Sequence, residues 1–313
     1  MAGILGFGAY LPERIVTSGE LAERLGVAEG WVTAASGIRE RRCARETETV
    51  ADLGVQAALD CLAFTHVEPR ELGLLIIASG SAEHRFPGPA AVIGHRLGVA
   101  GIPAIDLPMA SAGSLFGLAL AGRLAGTYGK TLLVASEKMT PMAWNEPLDR
   151  NTAILFGDGA GACLIGDGDA GLRILDSVLH SDGAFAADLR LGLAGGIEMN
   201  GLSVILQAAR KIPAAIGELL ERNMVSPDRI AAFLMHQANQ NLTERVSRAL
   251  GVPAGRFFSN IATCGNTSAA SMLIASSDYF RSKKVDPGDL ICFAAFGAGF
   301  HWGALLAQVV AAT

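Results

Sequence analysis

Short apolar runs alternate with longer stretches of helical periodicity along almost the whole chain. Strand-like runs fall at 2–11, 73–79, 131–136, 160–166, 172–179, 230–235, 289–296 and 302–310. Helical patterns fill 49–63, 88–98, 112–126, 201–222, 239–250 and 267–281. Strands apolar on both faces must be covered on both faces, so this order predicts an α/β chain with buried, largely parallel sheets under helices. At 313 residues the chain can bury a large core. Half of it is apolar and only 18% is charged, which excludes a disordered chain.

The turn-rich run Gly166-Asp167-Gly168-Asp169-Ala170-Gly171 separates two strand signals and is the best boundary. It divides the chain into an N-terminal half, 1–167, and a C-terminal half, 168–313. The halves share a coarse order of elements but no visible sequence repeat.

A net charge of −5 offers no global positive field, so nucleic-acid binding is not expected. Arg39, Arg41, Arg42 and Arg45 form a local basic cluster, either a solvated surface or a phosphate contact at a cofactor mouth. Cys43, Cys61, Cys163, Cys264 and Cys292 are scattered and odd in number. They suggest reduced thiols in a cytoplasm, with neither a disulfide framework nor a zinc site. No apolar run reaches the roughly 18 residues that cross a bilayer, and the N-terminus reads as a strand and turn ending at Pro12.

Three runs carry chemistry. Asp106-Leu107-Pro108-Met109-Ala110-Ser111-Ala112-Gly113 opens a small-residue, apolar helix. A buried helix N-terminus concentrates unpaired N–H groups, which suits a nucleophile whose transition state carries an oxyanion. Ser111 could equally be an ordinary helix cap. His236-Gln237-Ala238-Asn239 follows an apolar strand, where ligands gather in open α/β sheets, although a histidine there is often structural. Gly265-Asn266-Thr267-Ser268-Ala269-Ala270-Ser271 supplies an amide. Cys264 beside it is a displaced nucleophile or a buried structural thiol.

Together these runs, with Ile154-Leu155-Phe156-Gly157-Asp158-Gly159-Ala160-Gly161-Ala162 and Phe296-Gly297-Ala298-Gly299-Phe300, resemble β-ketoacyl-acyl-carrier-protein synthase III. The resemblance spans the chain from the first strand to residue 310. It implies the thiolase fold, two pseudo-duplicated halves packed as a five-layered αβαβα core. It further implies a cytoplasmic homodimer joining an acyl-CoA starter to a malonyl thioester, with an acyl carrier protein as partner. That activity belongs to fatty-acid or polyketide biosynthesis and asks for no metal or redox cofactor.

On this resemblance the catalytic residues are Ser111, His236 and Asn266, and the N–H groups of Ser111 and Gly299 form the oxyanion hole. Trp31 and Arg150 meet coenzyme A, Phe86 closes the acyl pocket across the dimer, and Asp158 is structural. The chief departure is Ser111, which stands where the family carries its cysteine. Ala35, Ser36, Leu206 and Asn241 depart at positions that meet phosphates or the carrier, and Arg210, Lys211, Arg245 and Arg248 could compensate. A serine needs a general base, which His236 could supply. Two alternatives stay open: acyl transfer or thioester hydrolysis by Ser111 without condensation, and a cysteine-to-serine substrate-trapping variant of an ordinary synthase III. A non-catalytic partner subunit fits less well with an intact His–Asn pair.

Overall fold

A computed structural model describes residues 2–192 and 195–310; the first residue and the last three of the two expected halves lie outside it. One nine-stranded sheet runs through the molecule. Its strands are β1 (Ala2–Tyr10), β2 (Leu74–Ala78), β3 (Ala104–Leu107), β4 (Thr131–Glu137), β5 (Gly159–Asp167), β6 (Leu172–Ser181), β7 (Ile230–Met235), β8 (Leu290–Gly297) and β9 (His301–Val309). Their spatial order is β7-β8-β9-β6-β1-β5-β4-β2-β3.

The order contains a repeat that the sequence hides. In the N-terminal half β2 and β4 are parallel, β4 and β5 antiparallel, β5 and β1 antiparallel. In the C-terminal half β7 and β8 are parallel, β8 and β9 antiparallel, β9 and β6 antiparallel. The edge strand β3 lies parallel to β2, and Phe257 makes a lone parallel bridge to Phe233 of β7 in the corresponding place. The two units meet through a short antiparallel contact of β1 with β6, Gly3 opposite Arg173 and Ile4 opposite Leu172.

The expectation of largely parallel sheets is corrected: β2–β3, β2–β4 and β7–β8 are parallel and the other five pairings are antiparallel. Apolar runs on β4, β5, β8 and β9 report burial on both faces, and here antiparallel strands are covered on both faces too, so burial carries no information on direction.

Helices make the remaining layers: α1 (Glu29–Ser36), α2 (Val50–Thr65), α3 (Pro89–Arg96), α4 (Gly113–Tyr128), α5 (Gly201–Arg222), α6 (Gln240–Leu250) and α7 (Ser271–Ser282). Helices α4 and α7 lie between the two units, in a core with Leu115, Leu118, Met272 and Leu273 beside Ile76, Leu133, Leu234 and Phe293. Helices α2 and α3 cover one outer face, through Leu53, Ala57 and Ile93. Helices α5 and α6 cover the other, through Ile212, Ile216, Leu219 and Val246. The result is the five-layered αβαβα arrangement of the thiolase fold. No helix among the described residues is long and apolar enough to cross a membrane.

Candidate active site

Each unit delivers one serine to the central layer in an unusual backbone state. Ser111 lies between β3 and α4 with φ of 60°, and Ser268 precedes α7 with φ of 48°. Left-handed backbone is uncommon for a residue with a Cβ and clusters where the surroundings over-determine it. The two serines hold each other: the Ser111 N–H donates to Ser268 Oγ at 3.0 Å. Ser111 is therefore not the helix cap. Ala112 occupies that position without a side-chain cap, which leaves the positive end of α4 at the serine.

Gly297, at the end of β8, packs on the same turn. A Cβ there would stand 2.5 Å from the Ala110 carbonyl, 2.7 Å from the Ala112 nitrogen and 2.9 Å from Ser111 Cβ. Gly297→Ala should therefore displace the Ser111 turn. We expect a loss of roughly 1–3 kcal/mol in stability, from the overpacking, and about tenfold or more in any reaction at Ser111. Urea unfolding and acyl-loading kinetics check the two parts. Gly299 is not among the residues lining the pocket described below, and a Cβ there would stand 2.3 Å from the His301 ring.

His236 follows β7 directly and is buried. Burial pushes its imidazole down to about 4, against a smaller opposing contribution from the Ser268 backbone, so the ring is neutral at ordinary pH. Its Nδ1 lies 2.6 Å from Ser271 Oγ. No hydrogen bond joins the Ser111 hydroxyl to the ring among the described residues. Asn266 is buried as well, and its Oδ1 accepts the Ser268 N–H at 2.9 Å. That bond fixes the amide orientation and leaves the Nδ2 hydrogens for the pocket.

The depressed pKa has a consequence for stability. The folded value lies below the unfolded value of about 6.5. Stability from burying the neutral ring is thus fully present above about pH 6.5 and is lost as pH falls toward 4. A loss of about 3 kcal/mol over that interval is expected. Denaturation midpoints against pH for the natural chain and His236→Gln measure it, and the His236→Gln curve should lack this component.

Sequence inspection missed Glu137, the last residue of β4. It is fully buried, and none of the ion pairs among the described residues includes it. Its carboxyl accepts from the Ser81 hydroxyl at 2.5 Å, the Gly80 N–H at 3.0 Å, the Ala269 N–H at 3.2 Å and the Ser79 hydroxyl at 3.3 Å. Burial raises its pKa, while the Ser81 and Ser268 hydroxyls and these backbone donors hold it down. The carboxyl thus ties the loop after β2 to the loop carrying Asn266. Glu137→Ala strands several buried donors and should cost about 3 kcal/mol. Glu137→Gln, which keeps an acceptor oxygen, should cost less, as read from the urea midpoint. The sequence signal was a lone carboxylate at the end of a continuous apolar strand.

Ser111, His236 and Asn266 line one mostly apolar pocket of about 240 Å³. Val204, Ile205, Ala208 and Ile212, one face of α5, supply a wall, with Leu189, Met199, Phe156 and Phe296. Exposure marks its axis: the three polar residues are 4–7% exposed, whereas Trp31, on α1 at the rim, is 38% exposed. The Arg150 guanidinium sits 5.9 Å from the Trp31 ring centroid. Phe86 does not line the pocket and is 85% exposed.

The other candidates fall into structural places. Arg41 is wholly buried, bonding Ile154 O, and burial lowers its pKa to about 10. It is neither solvated nor at a mouth; its Cβ packs under Gly265, before Asn266. Lys211 is held by Asp182 at 3.0 Å and by the Trp302 ring at 3.9 Å, so it cannot stand in for a missing surface cation. Arg210, Arg245 and Arg248 remain exposed. Asn241 Nδ2 donates to the Ala34 and Ala35 carbonyls at the end of α1, a neutral stitch without net charge. Leu206 is 54% exposed. Burial pushes the Cys264 thiol up to about 11, and it is outside the pocket, as a structural thiol would be. Asp158 accepts from Ala44 N, Thr140 N and Thr140 Oγ and is buried.

Residues 105–183 match the family model described as 3-oxoacyl-(acyl-carrier-protein) synthase III, and 220–309 match that of its C-terminal part. A relative from Oleidesulfovibrio alaskensis, a β-ketoacyl-(acyl-carrier-protein) synthase III, is 38% identical over 97% of each chain. The crystal structure of 3-oxoacyl-(acyl-carrier-protein) synthase III from Aquifex aeolicus is similar at a TM-score of 0.94 and 33% identity, over 98% of this chain and 100% of that one. The priming β-ketosynthase of a polyketide pathway is similar at 0.91 and 31%, over 99% and 96%.

Proposed function

This chain belongs to the 3-oxoacyl-(acyl-carrier-protein) synthase III family, whose members are condensing acyltransferases, and we propose that it joins an acyl-CoA starter to a malonyl thioester, as in fatty-acid or polyketide priming. The observation that carries this is the convergence of Ser111, His236 and Asn266 at the floor of one apolar pocket with Trp31 at its rim.

Trp31 and Arg150 clamp the coenzyme A nucleotide, and the pantetheine arm runs along α5. Ser111 stands in place of the family's cysteine. Its Oγ attacks the thioester carbonyl while its proton passes to neutral His236 and then to the departing thiolate. The uncapped end of α4 favours the oxyanion. A malonyl thioester then loses CO₂, and its enolate oxygen takes hydrogen bonds from His236 and from Asn266 Nδ2. The enolate carbon attacks the Ser111 ester, the acyl–Oγ bond breaks as Oγ takes a solvent proton relayed by His236, and the β-ketoacyl thioester is released. These steps use only this chain's own groups, the two thioesters and one solvent proton.

The protein works as a cytoplasmic homodimer. In support, β3 is an edge strand of the sheet among the described residues, and the loop of the very exposed Phe86 packs beside it, Gly88 against Asp106, suited to closing a partner's acyl pocket. An acyl carrier protein delivers the malonyl group, approaching α5 and α6 where Arg210, Arg245 and Arg248 are exposed.

The test is a coupled assay with short acyl-CoAs and malonyl-carrier protein. β-Ketoacyl product appearing with CO₂ supports the proposal. Free acid and coenzyme A without condensed product would replace it with hydrolysis by Ser111.

A further inference from the structure

The Ser271 hydroxyl occupies a position that neither the nucleophile nor the amide explains. Its oxygen lies 2.6 Å from His236 Nδ1, accepts the Gln237 N–H at 3.1 Å and lies 3.0 Å from the Ser268 carbonyl, to which it can donate. All of these groups are buried. A hydroxyl has one proton and two lone pairs, and the Gln237 N–H takes one lone pair. The proton therefore has two destinations, the Ser268 carbonyl or His236 Nδ1.

Each choice fixes a different imidazole. With the proton on the Ser268 carbonyl, the second lone pair accepts Nδ1–H, and Nε2 is bare. With the proton turned to Nδ1, the neutral ring must carry its hydrogen on Nε2. The Ser268 carbonyl is not orphaned by that turn, because the Ser271 backbone N–H also donates to it. Neither arrangement leaves a buried polar atom without a partner, so neither carries the penalty that normally selects one tautomer.

We propose that Ser271 is a positioning residue that lets His236 hold either neutral tautomer, serving as base in acyl loading and as hydrogen-bond donor in decarboxylation. The exchange conserves protons: Nε2 gains one as Nδ1 loses one, so the ring stays neutral in both states. The inference rests on the two-step reading of His236.

Two measurements test it. The first is ¹⁵N NMR of protein labelled in histidine, with His236 assigned by its absence in His236→Gln. The natural chain should populate both neutral tautomers, and Ser271→Ala should hold only one. The second is the ratio of malonyl decarboxylation to acyl loading. In Ser271→Ala it should fall by roughly tenfold or more, and Ser271→Thr should restore it. A single tautomer in the natural chain overturns the proposal, even if Ser271→Ala does not fold. An equal loss in both steps with an unchanged tautomer also overturns it. The NMR needs no turnover, so tautomer exchange without condensed product would leave the inference standing while the condensation reading fails.

Discussion

Ser111→Cys is expected to load acyl groups from acyl-CoA at least roughly 100-fold faster than the serine chain, and Ser111→Ala is expected not to load at all. A cysteine is a few per cent thiolate at neutral pH before any help, and the positive end of a helix increases that fraction. The uncapped start of α4 provides that help at residue 111. A serine hydroxyl must instead lose its proton in the transition state itself, to a neutral ring that is not hydrogen-bonded to it at rest. Intact-protein mass spectrometry over time with a panel of acyl-CoAs measures both variants. Equal rates for serine and cysteine would mean that chemistry at residue 111 does not limit loading. An adduct on Ser111→Ala would place the nucleophile elsewhere.

His236→Ala and Asn266→Ala should each lower malonyl decarboxylation by roughly 10²–10³-fold, and the double variant should lose less than the product of the two. On the proposed mechanism each removes one donor to the enolate oxygen, and donors acting on one charge are not independent. The steps should separate: Asn266→Ala should spare loading of Ser111, because the amide has no part in it. His236→Ala should damage both. Ser111→Ala should keep decarboxylating, since that step needs charge stabilisation and no nucleophile. Release of CO₂ from malonyl-CoA, followed beside adduct formation, distinguishes these cases. Decarboxylation intact in both single variants would remove the pair from the mechanism.

The residues legible in the sequence were those whose meaning is local. Ser111, His236 and Asn266 each stand in a run of distinctive neighbours, and the helix and strand periods placed those runs at element ends. What stayed hidden depended on neighbours distant along the chain. Glu137 reads as the polar end of an apolar strand until its donors from the β2 loop and the Asn266 loop are seen. Gly297 and Gly299 are equivalent in sequence, and only packing shows that the first touches the Ser111 turn. The edge strand β3 was not predicted, because four residues with partly exposed side chains carry too little period. Lys211 and Arg41 looked like surface cations, since burial by an aromatic ring or beneath a loop leaves no local trace.

The bond between the two left-handed serines joins residues 157 positions apart. The Ser111 turn draws a holding bond from the other half, so catalytic competence should be acquired late in folding, when long-range contacts close. Catalysis is then a stricter gauge of native assembly than helix content. As denaturant rises, turnover should disappear with the docking of the halves, while helices α2 and α3, packed mainly on strands of the first, still give their signal.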